Sequence, residues 1–156
     1  MDSNQIRCML SCDKKTRQKF IGVLALDEFK SFVQKNTLLE GLYVINSDNS
    51  DSPGRHWFMI FYDKDYLAFF DSFARSSNFY NITKELNSVN RKIEEVPFQL
   101  QHFFSDVCGE YIILFSYNLC RNRKLIEILK RFSVNHKDND NKVIHFVNKH
   151  FPGHAR

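Results

Sequence analysis

The sequence predicts an α+β fold: a small mixed or antiparallel sheet packed between helices, with residues 1–156 forming one domain. Three observations carry that expectation. Two aromatic, apolar runs, His56 to Tyr62 and Tyr66 to Phe70, are separated only by Asp63, Lys64 and Asp65, which is the form of a β-hairpin. The run from Cys108 to Leu119 (CGEYIILFSYNL) is apolar almost all round and too long for an ordinary strand, so it predicts a helix buried in a core. A chain of 156 residues is long enough to bury one such core, and it contains no internal repeat, low-complexity tract or linker.

The remaining elements follow in chain order, beginning with a helix. Phe20 to Leu26 reads as a short strand or extended segment, followed by a helix that Asp27 is placed to cap. Gly41 to Ile45 is a strand, and the polar, turn-rich stretch Asn46 to Arg55 (NSDNSDSPGR) is a loop. After the hairpin, Arg75 to Asn90 is polar and helical in part. Beyond Pro97 the chain extends to about His102. The buried helix comes next, and two amphipathic segments, Leu125 to Phe132 and Val143 to His150, close the chain.

Composition narrows the class. Hydrophobic residues at 43% and charged residues at 26% fit a folded domain rather than a disordered chain. Most of the 16 phenylalanines are expected in the core. No apolar run is long enough to span a bilayer, and the N-terminal segment lacks the basic-then-apolar form of a signal peptide. An intracellular protein, not secreted and not membrane-bound, is therefore expected. The net charge of +4 is concentrated in Lys14, Lys15, Arg17 and Lys19, and again in Arg121, Arg123, Lys124, Lys130 and Arg131. Such clusters serve either as solvated helix faces or as a track for DNA, and no groove-reading motif accompanies them.

Four cysteines are present. Cys8 and Cys12 form a Cys-x3-Cys pair, but no downstream Cys/His pair completes a tetrahedral set, so no metal site is expected. Cys108 and Cys120 lie too far apart along one helix to bridge each other. In a reducing compartment all four are thiols.

Cys108 opens the predicted buried helix, where the positive end of the helix dipole favours a nucleophilic thiolate. Gly109 beside it removes a side chain from the path of a substrate backbone. His56, at the start of the first hairpin strand, is a base suited to neutral pH. Asp71 ends the second hairpin strand, so strand connectivity alone makes it a neighbour of His56, able to orient the imidazole and stabilise its cation. Gln101, seven residues before Cys108, can offer amide hydrogens to an oxyanion together with the Cys108 backbone N–H, and Gln99 competes for that role. Each residue also has a structural reading: a buried cysteine, a surface histidine, a turn aspartate, a merely polar glutamine. The order and spacing of the set carry the weight.

That set resembles the adenains, the adenovirus-type cysteine proteases, within the wider clan that contains the ubiquitin-like-protein proteases. The matching residues are Gly54-Arg55-His56-Trp57, Phe69-Phe70-Asp71-Ser72-Phe73, and Gln101 through Ser105 to Cys108-Gly109-Glu110-Tyr111. Weaker similarity reaches Phe20-Ile21-Gly22 and Asn141 to Pro152. In wording the chain is closer to members from Polinton/Maverick, adintovirus-like or adomavirus-like genomes. The resemblance implies a papain-like fold with permuted parts, a Cys108–His56–Asp71 triad, Gln101 and Cys108 at the oxyanion hole, and a substrate cleft walled by Trp57 and Gly109. It implies an endopeptidase that matures capsid or core precursors after small residues such as glycine, in the host nucleus or the virion. A monomer is the expected state.

The family also uses DNA and an activating peptide as cofactors, although nothing in the sequence requires either. The peptide is tethered in relatives through a cysteine that this chain, with none between residues 13 and 107, does not have. Ala74 stands where many members have glycine. Two other readings remain open: a deubiquitinase or ubiquitin-like-protein isopeptidase of the same clan, and a non-catalytic, DNA-associated virion protein.

Overall fold

The computed structural model describes residues 1–154. Five strands form one mixed sheet whose spatial order, β1 to β5, is also their chain order. β1 (Phe20–Ala25) runs parallel to β2 (Gly41–Asn46). β2, β3 (Trp57–Tyr62) and β4 (Leu67–Phe70) form an antiparallel meander, and β5 (Ile93–Glu95) lies parallel to β4. The helices are α1 (Ser3–Cys12), α2 (Lys14–Arg17), α3 (Leu26–Asn36), α4 (Thr83–Asn87), α5 (Cys108–Leu119), α6 (Leu125–Leu129) and α7 (His136–His150). The architecture is α+β, with a sheet that is mixed rather than purely antiparallel.

The sheet is buried on both faces because successive side chains of a strand point to opposite sides. Leu42, Val44, Trp57, Met59, Phe61, Ala68 and Phe70 face a core that includes Ile6 and Met9 of α1, most of α5, and Val143 and Val147 of α7. Tyr43, Ile45, Phe58, Ile60, Leu67 and Phe69 face a second core with Phe29 and Val33 of α3 and Leu86 of α4. Two-sided burial explains why the central strands read as unbroken apolar runs. α5 is buried at every position except Tyr117, and its Phe115 stacks on Phe70 of β4 at 3.7 Å between ring centroids. Full burial of such a ring contributes about 1.5–3 kcal/mol. The position of Cys108 is thus fixed by a helix that cannot slide without opening the larger core.

Several elements differ from expectation. β5 was not anticipated: it precedes Pro97, and two of its three residues are glutamates, so no apolar run marks it. Asp27 does not cap α3. Ala25 holds the cap position, while Asp27 accepts hydrogen bonds from the backbone N–H and hydroxyl of Ser50 at 2.9 and 2.7 Å, tying the 46–55 loop to the helix. α6 ends at Leu129, short of Phe132. α7 begins at His136, seven residues before the amphipathic segment, with the Asn135 side chain capping the N–H groups of Lys137 and Asp138. Not every phenylalanine is core: Phe79, Phe98, Phe103 and Phe104 are exposed, the last at 87%. Among the described residues, no helix is long and apolar enough to cross a membrane.

Candidate active site

The end of the sheet where β3 begins and β4 finishes faces the first turn of α5. There the structure brings His56, Trp57 and Cys108 together with Gln101 in one open cleft of about 740 Å³. Asp71 lies directly behind His56, fully buried, with its Oδ1 3.1 Å from His56 Nε2. The approach is diagonal rather than straight across. The register that pairs Met59 with Phe70 sets Phe58 against Asp71, and the chain turns away immediately afterwards. That turn is built by Asp71 itself. Its Oδ1 accepts from the Phe73 N–H at 2.7 Å, and its carbonyl accepts from the Ala74 N–H at 2.9 Å. Ala74 takes a left-handed φ of +56°, a conformation more comfortable for glycine.

The carboxylate has a second partner that the sequence did not reveal. Tyr80, buried and stacked on Phe58 with centroids 4.2 Å apart, donates its hydroxyl to Asp71 Oδ2 in a short hydrogen bond. Burial, and then the neighbouring Asp71 charge, push the Tyr80 phenol far up, so it remains a donor at all working pH values. Asp71 is therefore held by Tyr80 at Oδ2 and by the Phe73 N–H at Oδ1, the oxygen that also faces His56.

The Nε2–Oδ1 contact is close but off the N–H axis, and His56 Nε2 makes no aligned hydrogen bond. Burial of His56 opposes its charged form, yet close polar contact with Asp71 and Cys108 and Coulomb attraction to both outweigh it, raising the pKa from 6.5 to about 9. Phe73 packs over the imidazole at 5.1 Å between centroids, with the Arg75 guanidinium stacked on the outer side of the same ring.

Gln101 is oriented by two contacts. Its Oε1 accepts from the Ser72 hydroxyl at 2.6 Å, and its Nε2 donates to the Ser105 carbonyl at 2.8 Å. Because a carbonyl only accepts, the second bond fixes which side of the amide is nitrogen and leaves one Nε2 hydrogen unused by it. Ser72 also accepts through its backbone carbonyl from the Leu100 and Gln101 N–H groups, at 2.9 and 3.1 Å. Asp71 and Ser72, adjacent in sequence, thus hold the histidine and the glutamine respectively. Farther out, Asp140 of α7 accepts from the Tyr111 hydroxyl at 2.9 Å and from the His102 N–H at 3.3 Å, bracing the same loop. Gln99 does not line the cleft; its Nε2 donates to the Gln101 carbonyl at 2.8 Å and supports the loop from behind.

Cys108 is the first residue of α5, with no side-chain cap at Val107. The neighbouring Gly109 does not present an open surface: a Cβ there would meet the Met1 Cβ at 2.7 Å. Met1 also accepts a 3.1 Å hydrogen bond from Trp57 Nε1 through its carbonyl. The first residue therefore fills the space between Trp57 and Gly109, and Met1, Asp2 and Ser3 line the cleft.

The basic clusters prove partly structural. Arg121 pairs with Asp13 at 2.7 Å and lies over the Tyr117 ring at 3.4 Å, and Arg123 donates to Asn118. Lys19 reaches Asn122, so the two clusters lie side by side across α2 and the end of α5. Comparison with known protein families and with curated proteins finds no match.

Proposed function

We propose that this chain is a cysteine endopeptidase of the adenain type, with a permuted papain-like fold. The observation that carries the reading is the convergence of His56, Asp71, Gln101 and Cys108 from separate elements on one end of the sheet. In the mechanism, the Cys108 thiolate attacks the scissile carbonyl carbon, forming a C–S bond and a tetrahedral oxyanion. Gln101 Nε2–H and the Cys108 backbone N–H are the donors for that oxygen. The His56 imidazolium then gives its proton to the leaving amine as the C–N bond breaks, leaving a thioester. Neutral His56 next takes a proton from water as its oxygen attacks the thioester; the C–S bond then breaks, the acid departs and the Cys108 thiolate and His56 imidazolium are restored. Asp71 keeps the imidazole oriented and stabilises its cation.

Met1, against Gly109 and hydrogen-bonded to Trp57 Nε1, takes up room beside both, which supports preference for small residues such as glycine before the scissile bond. Precursor proteins of a capsid or core are the proposed substrates, in the host nucleus or virion. DNA is a proposed cofactor through exposed Lys14, Lys15, Arg17, Arg123 and Lys124.

The test is a peptide-like electrophile ending in Gly-Gly, applied under reducing conditions with the adduct mapped by mass spectrometry. Labelling of Cys108 that disappears in His56→Ala is expected, with a rise on adding DNA. Labelling confined to the exposed Cys8 and Cys12, with Cys108 untouched, would count against the reading. A ubiquitin-like protein used as a parallel probe separates an isopeptidase from an endopeptidase.

A further inference from the structure

Three metal-ligating side chains that do not line the cleft meet at the surface. Cys8 and Cys12 stand four residues apart on α1, one helical turn, so their thiols share a face. His154 arrives from beyond α7, 146 residues after Cys8. Its position is built rather than incidental. Phe151, which ends α7, is buried in the larger core, and the His154 N–H donates to the Phe151 carbonyl at 3.1 Å. Gly153, at a φ of +91°, makes the turn between them.

The ligand atoms of the three residues lie within 4.8 Å of one another. Cys8 Sγ is 3.6 Å from His154 Nδ1, and Cys12 Sγ is 3.9 Å from Nε2. A tetrahedral zinc with Zn–S of about 2.3 Å and Zn–N of about 2.05 Å sets sulfur and nitrogen about 3.6 Å apart. The Cys8–His154 spacing is thus already that of a tetrahedral edge. Both cysteines are exposed, so their rotamers are free to close on an ion while a water takes the fourth position.

We infer that Cys8, Cys12 and His154 form a site for a thiophilic divalent cation of the zinc class, stapling the segment after α7 to α1. Two thiolates and an imidazole are a borderline-soft donor set that selects zinc over magnesium or calcium. The role is structural. α1 is about 15 Å long at 1.5 Å per residue, with the ligands in its second half and Met1 beyond its other end in the cleft. A staple there fixes the helix that carries Met1 to Trp57.

The test uses the full chain carrying Cys108→Ala, which removes the thiol beside His56 as a rival ligand, kept reduced by a phosphine. Cobalt(II) is titrated in and then displaced by zinc(II). One ion per chain is expected, with a near-ultraviolet thiolate-to-cobalt charge-transfer band that zinc abolishes, and zinc should raise the melting temperature. Cys8→Ser with Cys12→Ser should lose the band and the thermal shift. His154→Ala should weaken binding by at least the roughly tenfold that losing a mere supporting group costs. A missing band, a band that survives in the double serine variant, or unchanged affinity in His154→Ala overturns the site.

Discussion

Cys108 and Cys120 flank α5, one opening the helix and the other just past its end, and both are buried. Around Cys108 are the positive end of the helix dipole, a histidine whose pKa is raised to about 9, and a cleft open to solvent. Around Cys120 the helix presents its negative end, and burial pushes the thiol up to about 11 despite nearby Lys19 and Arg121. The same residue type on one helix therefore meets a solvent-open cleft beside a histidine at one end and a closed packing environment at the other. Reactivity belongs to the surroundings rather than to the cysteine.

The sharpest way to break this contrast is to remove each thiol in turn. Cys108→Ala is expected to lower kcat/KM by at least about 10³-fold with little change in stability. Cys120→Ala should leave kcat/KM within about threefold while costing about 1 kcal/mol, a drop of roughly 2–4 °C in melting temperature for a chain of this size. Hydrolysis of a Gly-Gly peptide, read beside thermal melts, checks both. Equal activity losses in the two variants would end the distinction.

The next largest effect concerns what sustains the charged His56. Asp71→Asn should lower kcat by roughly 10²- to 10⁴-fold, because the imidazole loses both its orientation and its counter-charge. The pH dependence gives a readout that a folding defect would not. His56 has a folded pKa raised from 6.5 to about 9, so the stability it contributes is complete below pH 6.5 and is lost as pH rises through about 9. The alkaline limb of activity should fall in the same range, where the imidazolium loses its proton. In Asp71→Asn both the alkaline limb and the alkaline loss of stability should move to lower pH. A limb that stays in place would show that Asp71 does not hold the cation.

Much of this was legible in the sequence, and the reason is physical. Strands buried on both faces and a helix buried all round leave continuous apolar runs, so β2, β3, β4 and α5 could be read directly. His56, Asp71 and Cys108 were singled out because they sit at the edges of those runs, where a polar residue stands out, and Gln101 by its spacing from Cys108. Other features depend on partners distant in sequence. Tyr80 looks like any aromatic residue until the fold sets it under Asp71. Ser72 was visible only as part of a motif, without its role in orienting Gln101. β5 is an edge strand with two glutamates, held by pairing with β4 rather than by apolar content. Cys8 and Cys12 lacked a nearby histidine in the sequence, and the one that meets them comes from the other end of the chain. Asp27 had the right type and place for a cap, but Ser50 offered it two better-directed donors.

The smallest effect lies at the packing end of α5. Asp13 and Arg121 form a bidentate pair at 2.7 and 3.0 Å that ties the start of α2 to the residue after Cys120. Burial works against the Asp13 charge, but bonds from Arg121 and Thr16 prevail and lower its pKa from 3.8 to about 2. The stability this gives is present above pH 3.8 and is lost as pH falls through about 2. Both side chains keep some contact with water, at 21% and 16% exposure, so Arg121→Ala should cost only about 1 kcal/mol at neutral pH. Urea midpoints measured from pH 7 down to 2 should show the variant and the parent converging as Asp13 is protonated, with peptide hydrolysis at pH 7 unchanged. A large activity loss in Arg121→Ala would mean that the two ends of α5 are coupled through the helix, and the packing end would then share in positioning Cys108.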